Sequence, residues 1–203
     1  RYQTEGETTL RMMHDAALTR MRAQYDALAQ DGFRVLAVAW RKVERTHEHA
    51  LVDDETELTL AGFAAFLDPP KASAGEALKA LTASGVAVKV LTGDNELVTR
   101  HVCASIGLDI QCALSGAQIA QLDDQALAAQ VERTSVFCRV SPAQKTRVLN
   151  ALKQRGHVVG FLGDGVNDAP SLRAADVGIS VDTAVDVAKE AADLILLEHD
   201  LCV

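Results

Sequence analysis

The stretch HVVGFLGDGVNDAP, residues 157–170, decides how this chain is read. Val158, Val159, Phe161 and Leu162 suit a strand. The run then stops in two glycines, two aspartates, an asparagine and a proline. Glycine and aspartate are poor strand formers, so this turn holds something rather than extending a sheet. The pattern predicts a strand over 157–163, a tight turn, and a short helix limited by Pro170. Gly163 and Gly165 are expected to let the backbone bend around Asp164.

The same alternation extends outward from this turn. Upstream, SPAQKTRVLNALKQRG (141–156) reads as a capped helix with Pro142 in its first turn, and TSVFCRV (134–140) as a strand. Residues 109–133 suggest a short strand and one or two helices. Helices are expected over 74–85 and 96–107, each ending at glycine, around a strand at 86–92. Downstream, a strand at 176–181, a helix at 185–193 and a last strand at 194–197 complete the pattern. Several strands are apolar on both faces. The fold class is therefore α/β: a Rossmann-like parallel sheet with helices on both faces.

DPPK, with Pro69 and Pro70, is a stiff, non-helical joint. It divides the chain into 1–67, a hinge at 68–71, and 72–203. The first part carries an amphipathic helix over 7–31, spaced by Leu10, Met13, Ala17, Met21 and Leu28, then strands at 33–40 and 58–67. Trp40 is expected to pack beside its strand. A charged connection joins these strands, and its His47 and His49 are not read as a metal site.

Composition narrows the function classes. The chain has 203 residues, is 48% hydrophobic and carries a net charge of -8, so it has a real core and is a poor match for a nucleic-acid backbone. Its four cysteines form no CxxC pair, which gives no zinc or thioredoxin motif. Cys138 reads as a small core residue. No apolar run approaches the ~18 residues of a membrane span, and no signal peptide opens the chain. A soluble unit is expected.

Ligands of open parallel sheets sit beyond the carboxyl ends of the strands. Three such ends carry reactive residues. Thr92-Gly93-Asp94 follows one strand, Lys145 lies one turn into the helix after another, and Asp164, Asn167 and Asp168 follow the third. A hydroxyl and an amide can bond phosphate oxygens, a lysine can neutralise them, and carboxylates can hold Mg²⁺. No GxxxxGK[ST] is present, nor a GxGxxG after a strand, so neither a P-loop nor a dinucleotide site is indicated.

LTGD (91–94), RVSPAQK (139–145) and GDGVNDAP (163–170) resemble motifs of the P-type ATPases, within the haloacid dehalogenase-like superfamily. DPPK resembles their hinge, and GFRVLAVAW (32–40) the last strand region of their nucleotide-binding domain. ISVDTAVDVAKEAADLILLEHDL (179–201) is similar to the type III group, and together with LTGDNELVTRHVCASIGLD (91–109) to bacterial magnesium-transporting ATPases. The resemblance implies a haloacid dehalogenase-like phosphorylation domain preceded by the C-terminal end of a nucleotide-binding domain, with ATP and Mg²⁺ as cofactors. Thr92 would bond the transferred phosphoryl group, Lys145 would neutralise it, and Asn167 would contact phosphate. Asp164 and Asp168 would serve the metal. Asp94, Lys71, Arg34 and Arg139 would lie near the nucleotide.

The family's nucleophile, the aspartate of a DKTGT motif, has no counterpart in this sequence. The resemblance therefore implies a cytosolic fragment of an inner-membrane cation pump, inactive alone, whose partners are ATP, the rest of the polypeptide and a cation moved by an absent membrane domain. Mg²⁺ is the expected cation, with H⁺ or Ca²⁺ as alternatives. The nucleophile strand belongs at the centre of the sheet. Without it the sheet would close up, a neighbouring chain would fill the gap, or the domain would be unstable. Two other classes remain open: a stand-alone phosphatase of the same superfamily, and a non-catalytic Mg²⁺-binding module.

Overall fold

In the computed structural model, the described residues are 2–5, 9–12, 14–43, 49 and 51–198. His47 and Cys202 lie outside them. The chain forms two compact units, Arg1–Asp68 and Pro69–Val203.

The first unit contains strands β1 (Tyr2–Glu5) and β2 (Thr9–Met12), helix α1 (Asp15–Gln30), and strands β3 (Arg34–Trp40) and β4 (Thr59–Phe66). The sheet order is β2-β1-β4-β3. The helix expected from residue 7 thus begins at residue 15. Thr9–Met12 instead pairs antiparallel with β1, from Glu5↔Thr9 to Tyr2↔Met12. A ladder satisfies that backbone, and the apparent helical spacing rested on Leu10 and on Met13, which lies outside the described residues. Gly32, at φ 88°, ends α1 as expected. The Tyr25 and Phe63 rings stack α1 on β4, with centroids 6.4 Å apart. Leu36, Val38 and Trp40 alternate along β3 and remain 62%, 48% and 45% exposed. Trp40 is therefore not a packed residue.

The second unit alternates helix and strand: α2 (Ala74–Ala83), β5 (Val90–Leu91), α3 (Glu96–Ser105), β6 (Ala113–Ser115), α4 (Gly116–Gln121), α5 (Asp124–Val131), β7 (Val136–Cys138), α6 (Pro142–Gln154), β8 (Gly160–Leu162), α7 (Ala169–Ala174), β9 (Val177–Val181), α8 (Asp186–Ala191) and β10 (Leu194–Leu196). All its ladders are parallel, as helical crossovers require.

They form two three-stranded sheets, β5-β7-β6 and β10-β9-β8, rather than one continuous sheet. Helix α6 bridges them. Its Val148, Ala151 and Leu152 join one apolar cluster with Ile119, Leu127 and Phe137, while Leu149 joins a second with Phe161, Leu172 and Ala188. Leu91, on β5, and Val159, just before β8, pack against both clusters. These two strands are thus the inner edges of the two half-sheets. Among the described residues each has a ladder partner on one side only, which explains why both are shorter than the sequence suggested.

Residues 109–133 supply β6, α4 and α5. Arg147 of α6 fixes this segment by donating to the carbonyls of Ile119 and Leu122 and pairing with Asp124 at 2.7 Å. Lys89 donates to the carbonyls of Glu132 and Thr134 beyond α5. Burial lowers the pKa of its ammonium.

Candidate functional site

The carboxyl ends of β5, β7 and β8 build the site. Directly after β5, the Thr92 hydroxyl donates to Asp94 Oδ2 at 3.1 Å and accepts the Asp94 amide at 3.1 Å. This closed turn leads into α3, where Asn95 caps the helix by accepting the Val98 amide at 3.0 Å.

The turn is tied to the end of β7. Arg139 donates its amide to the Asp94 carbonyl at 2.9 Å, and Val140 donates to the Thr92 carbonyl at 3.1 Å. Arg139 adopts φ 52°, the left-handed region that costs a side-chain-bearing residue about 1 kcal/mol or more. Such strain needs support, and Gly116 provides it. A Cβ there would fall onto the Arg139 carbonyl oxygen. Gln144 completes the junction. Its amide nitrogen donates to the Gly116 carbonyl at 2.7 Å, and its side-chain oxygen accepts the Ser141 amide at 2.9 Å. The strand expected to run to residue 140 therefore ends at Cys138, and nothing in a non-glycine Arg139 announced the turn.

Ser141 caps α6, which sets Lys145 one turn in. Lys145 Nζ lies 2.7 Å from Asp168 Oδ1, with the two side chains only 14% and 13% exposed. Asp168 Oδ2 accepts the Gly165 amide at 3.2 Å. Asp168 is thus held on both oxygens, while Asp164 and Asn167 are exposed in the same turn. Gly163 is needed for close approach rather than for bending. It has no positive φ, but a Cβ there would lie 2.6 Å from the Asp168 Cβ. Pro170 stands in the first turn of α7, where its missing amide costs nothing, so it starts that helix rather than limiting it.

Thr92, Asp94, Arg139, Lys145, Asp164, Asn167 and Asp168 are therefore carried by the segments that follow β5, β7 and β8, all in one unit. Lys71 lies exposed in the segment before α2. Arg34 belongs to the other unit and pairs there with Asp68 at 3.8 Å. Gly116, Gln144 and Ser180 escaped the sequence reading, because each acts through a tertiary contact to backbone.

The donor set can be weighed against Mg²⁺. Among the described residues no group of three or more His, Cys, Asp or Glu gathers as a metal cage. Mg²⁺ commonly takes one or two carboxylates and completes its shell with phosphate oxygens and water. An exposed Asp164 suits such a carboxylate, and a doubly held Asp168 suits a supporting position.

A model of the haloacid dehalogenase-like hydrolases matches residues 5–176. The chain belongs to that family. Membership in the haloacid dehalogenase-like hydrolases agrees with the parallel α/β architecture. The chain is 57% identical over 174 residues to the magnesium-transporting ATPase, P-type 1, of Salmonella typhimurium strain LT2, covering 85% of this chain and 19% of that protein. It is 50% identical over 191 residues to the protein of the same name from Escherichia coli strain K12, covering 94% and 21%. A calcium-transporting ATPase 1 of Lactococcus lactis is 34% identical over 183 residues, covering 89% and 21%. The chain thus spans about a fifth of the length of these curated relatives. The resemblance to P-type ATPases read from LTGD, RVSPAQK and GDGVNDAP is borne out. Among the described residues no helix is long and apolar enough to cross a membrane.

Proposed function

We propose that this chain is the cytosolic phosphate-and-metal half of an ATP-driven cation pump, whose acceptor aspartate lies elsewhere in the polypeptide. The largely buried Lys145–Asp168 pair carries this reading. Lys145 brings a fixed positive charge to the strand ends, and Asp168 fixes its direction. Thr92 and Asn167 bond the phosphoryl oxygens. Asp164 provides a carboxylate to Mg²⁺, which when bound neutralises phosphate charge. Asp94, Arg139 and Lys71 serve the nucleotide.

The same reading gives the split sheet a purpose. A parallel strand entering between β5 and β8 would pair with both inner edges and join the half-sheets. Its carboxyl end would then emerge between Thr92 and Asp164, where an aspartate could accept the phosphoryl group as an acyl phosphate. The transported ion is Mg²⁺ rather than Ca²⁺, since identity to the magnesium-transporting proteins exceeds that to the calcium-transporting one.

Intact protein in sealed vesicles is expected to move Mg²⁺ on addition of ATP, and Lys145→Met to slow this by about 10²-fold or more. The chain of 203 residues alone is expected to turn over neither ATP nor p-nitrophenyl phosphate. Sustained p-nitrophenyl phosphate hydrolysis by the chain alone would favour a self-sufficient phosphatase instead.

A further inference from the structure

We infer that Ser180 is a positioning residue for Asp164, acting through the Gly163 carbonyl. Ser180 stands on β9 and is wholly buried. A hydroxyl buried in a sheet is costly unless bonded, and this one donates to the Gly163 carbonyl at 2.9 Å. Gly163 is the residue between the end of β8 and Asp164. Its amide donates to the Ile179 carbonyl at 3.1 Å, so β9 grips Gly163 at both backbone groups. On the next residue, the Asp164 carbonyl accepts the Val185 amide at 3.1 Å.

The peptide plane entering Asp164 and the one leaving it are therefore both fixed by neighbours. Side-chain crowding supports the first of them, because Gly163 sits against Asp168 with no room for a Cβ. Removing the Ser180 hydroxyl frees one carbonyl only. The Gly163–Asp164 peptide can then tilt, and the Asp164 carboxylate turns away from its productive direction. Groups behind a metal ligand commonly control metal affinity in this way.

The inference rests on Asp164 as a metal carboxylate, so the test includes Asp164→Ala. The intact protein would be compared with Ser180→Ala and with the isosteric pair Ser180→Thr and Ser180→Val. Mn²⁺ binding would be followed by electron paramagnetic resonance in the presence of a non-hydrolysable ATP analogue, with metal-free analogue binding and the thermal midpoint measured alongside. Ser180→Ala and Ser180→Val are expected to need about 3- to 10-fold more Mn²⁺ for half-saturation, the scale of one lost hydrogen bond behind a ligand. Ser180→Thr is expected to keep parent-like Mn²⁺ binding, and metal-free analogue binding to stay unchanged in every Ser180 variant, while a modest fall in thermal midpoint accompanies the lost hydrogen bond in Ser180→Ala and Ser180→Val. Parent-like Mn²⁺ binding in Ser180→Ala, alongside a loss in Asp164→Ala, overturns the inference alone. A joint fall in metal binding, analogue binding and thermal midpoint also overturns it, as a merely structural role. Unchanged Mn²⁺ binding in Asp164→Ala overturns the metal reading and the inference together.

Discussion

Gly163 and Gly165 flank the same aspartate, yet the fold asks different things of them. Neither uses a positive φ. A Cβ on Gly163 would meet Asp168 Cβ at 2.6 Å, whereas one on Gly165 would meet a carboxylate oxygen at 3.4 Å. Gly163→Ala is expected to destabilise by about 1–3 kcal/mol and Gly165→Ala by under about 1 kcal/mol, read from denaturant midpoints. Equal costs would mean that both glycines serve backbone bending after all. The buried pair gives a second prediction. Asp168→Ala leaves the Lys145 ammonium, 14% exposed, without its carboxylate and should cost about 3 kcal/mol. Adding Lys145→Met should recover part of that loss, because the remaining charge is gone; a strictly additive double variant would contradict the coupling. The positions of Thr92 and Asp164 were legible in sequence because apolar runs stop at turn residues, and that of Lys145 because Ser141-Pro142 announces a helix start. Ser180 was not, since a serine in GISV gives no sign that its hydroxyl reaches a carbonyl just beyond the neighbouring strand.

Among the elements, α4 shows how a segment remote in sequence shapes the site. Its first residue, Gly116, lies against the left-handed turn at Arg139, and Gln144 ties the two together. Gly116→Ala is expected to lower the thermal midpoint by several degrees, as overpacking of about 1–3 kcal/mol implies for a domain of this size. Gly93→Ala, in open space, should change it little. Comparable shifts in the two variants would contradict a close approach at Gly116. Helix ends were legible: Gly85, Gly107 and Gly156 all take the positive φ that their position after a helix suggested. Strand lengths were not. VAVKVLT looks like seven strand residues, but Val90–Leu91 alone is laddered, because pairing depends on a neighbour that local sequence does not contain. The start of α1 was misread for a related reason. TLRM fits a helical spacing, and its pairing with YQTE decides otherwise.

For the molecule as a whole, two carboxylates make its stability depend on pH. A hydrogen bond from the Val159 amide, with Lys153 beside it, holds Asp176 below its ordinary value. Bonds from Arg155 and His157 do the same for Glu132. A lowered folded value means stability that is full above the unfolded carboxylate range, about pH 4, and lost as pH falls through the folded values. Acid unfolding should therefore steepen below about pH 4, and Asp176→Asn should flatten that part of the curve. An unchanged slope would show that Asp176 does not contribute. The α/β class was visible from the alternation of elements, but the division into half-sheets was not, since it reflects which strands find partners. The arrangement places Thr92 on one inner edge and Asp164 on the other, with the acceptor aspartate proposed between them. That claim is tested most directly by phosphorylating the intact protein with γ-³²P-labelled ATP and Mg²⁺, quenching in acid and mapping the label. An acyl phosphate is expected on an aspartate outside these 203 residues. Label on Asp94, Asp164 or any other residue of this chain would contradict it.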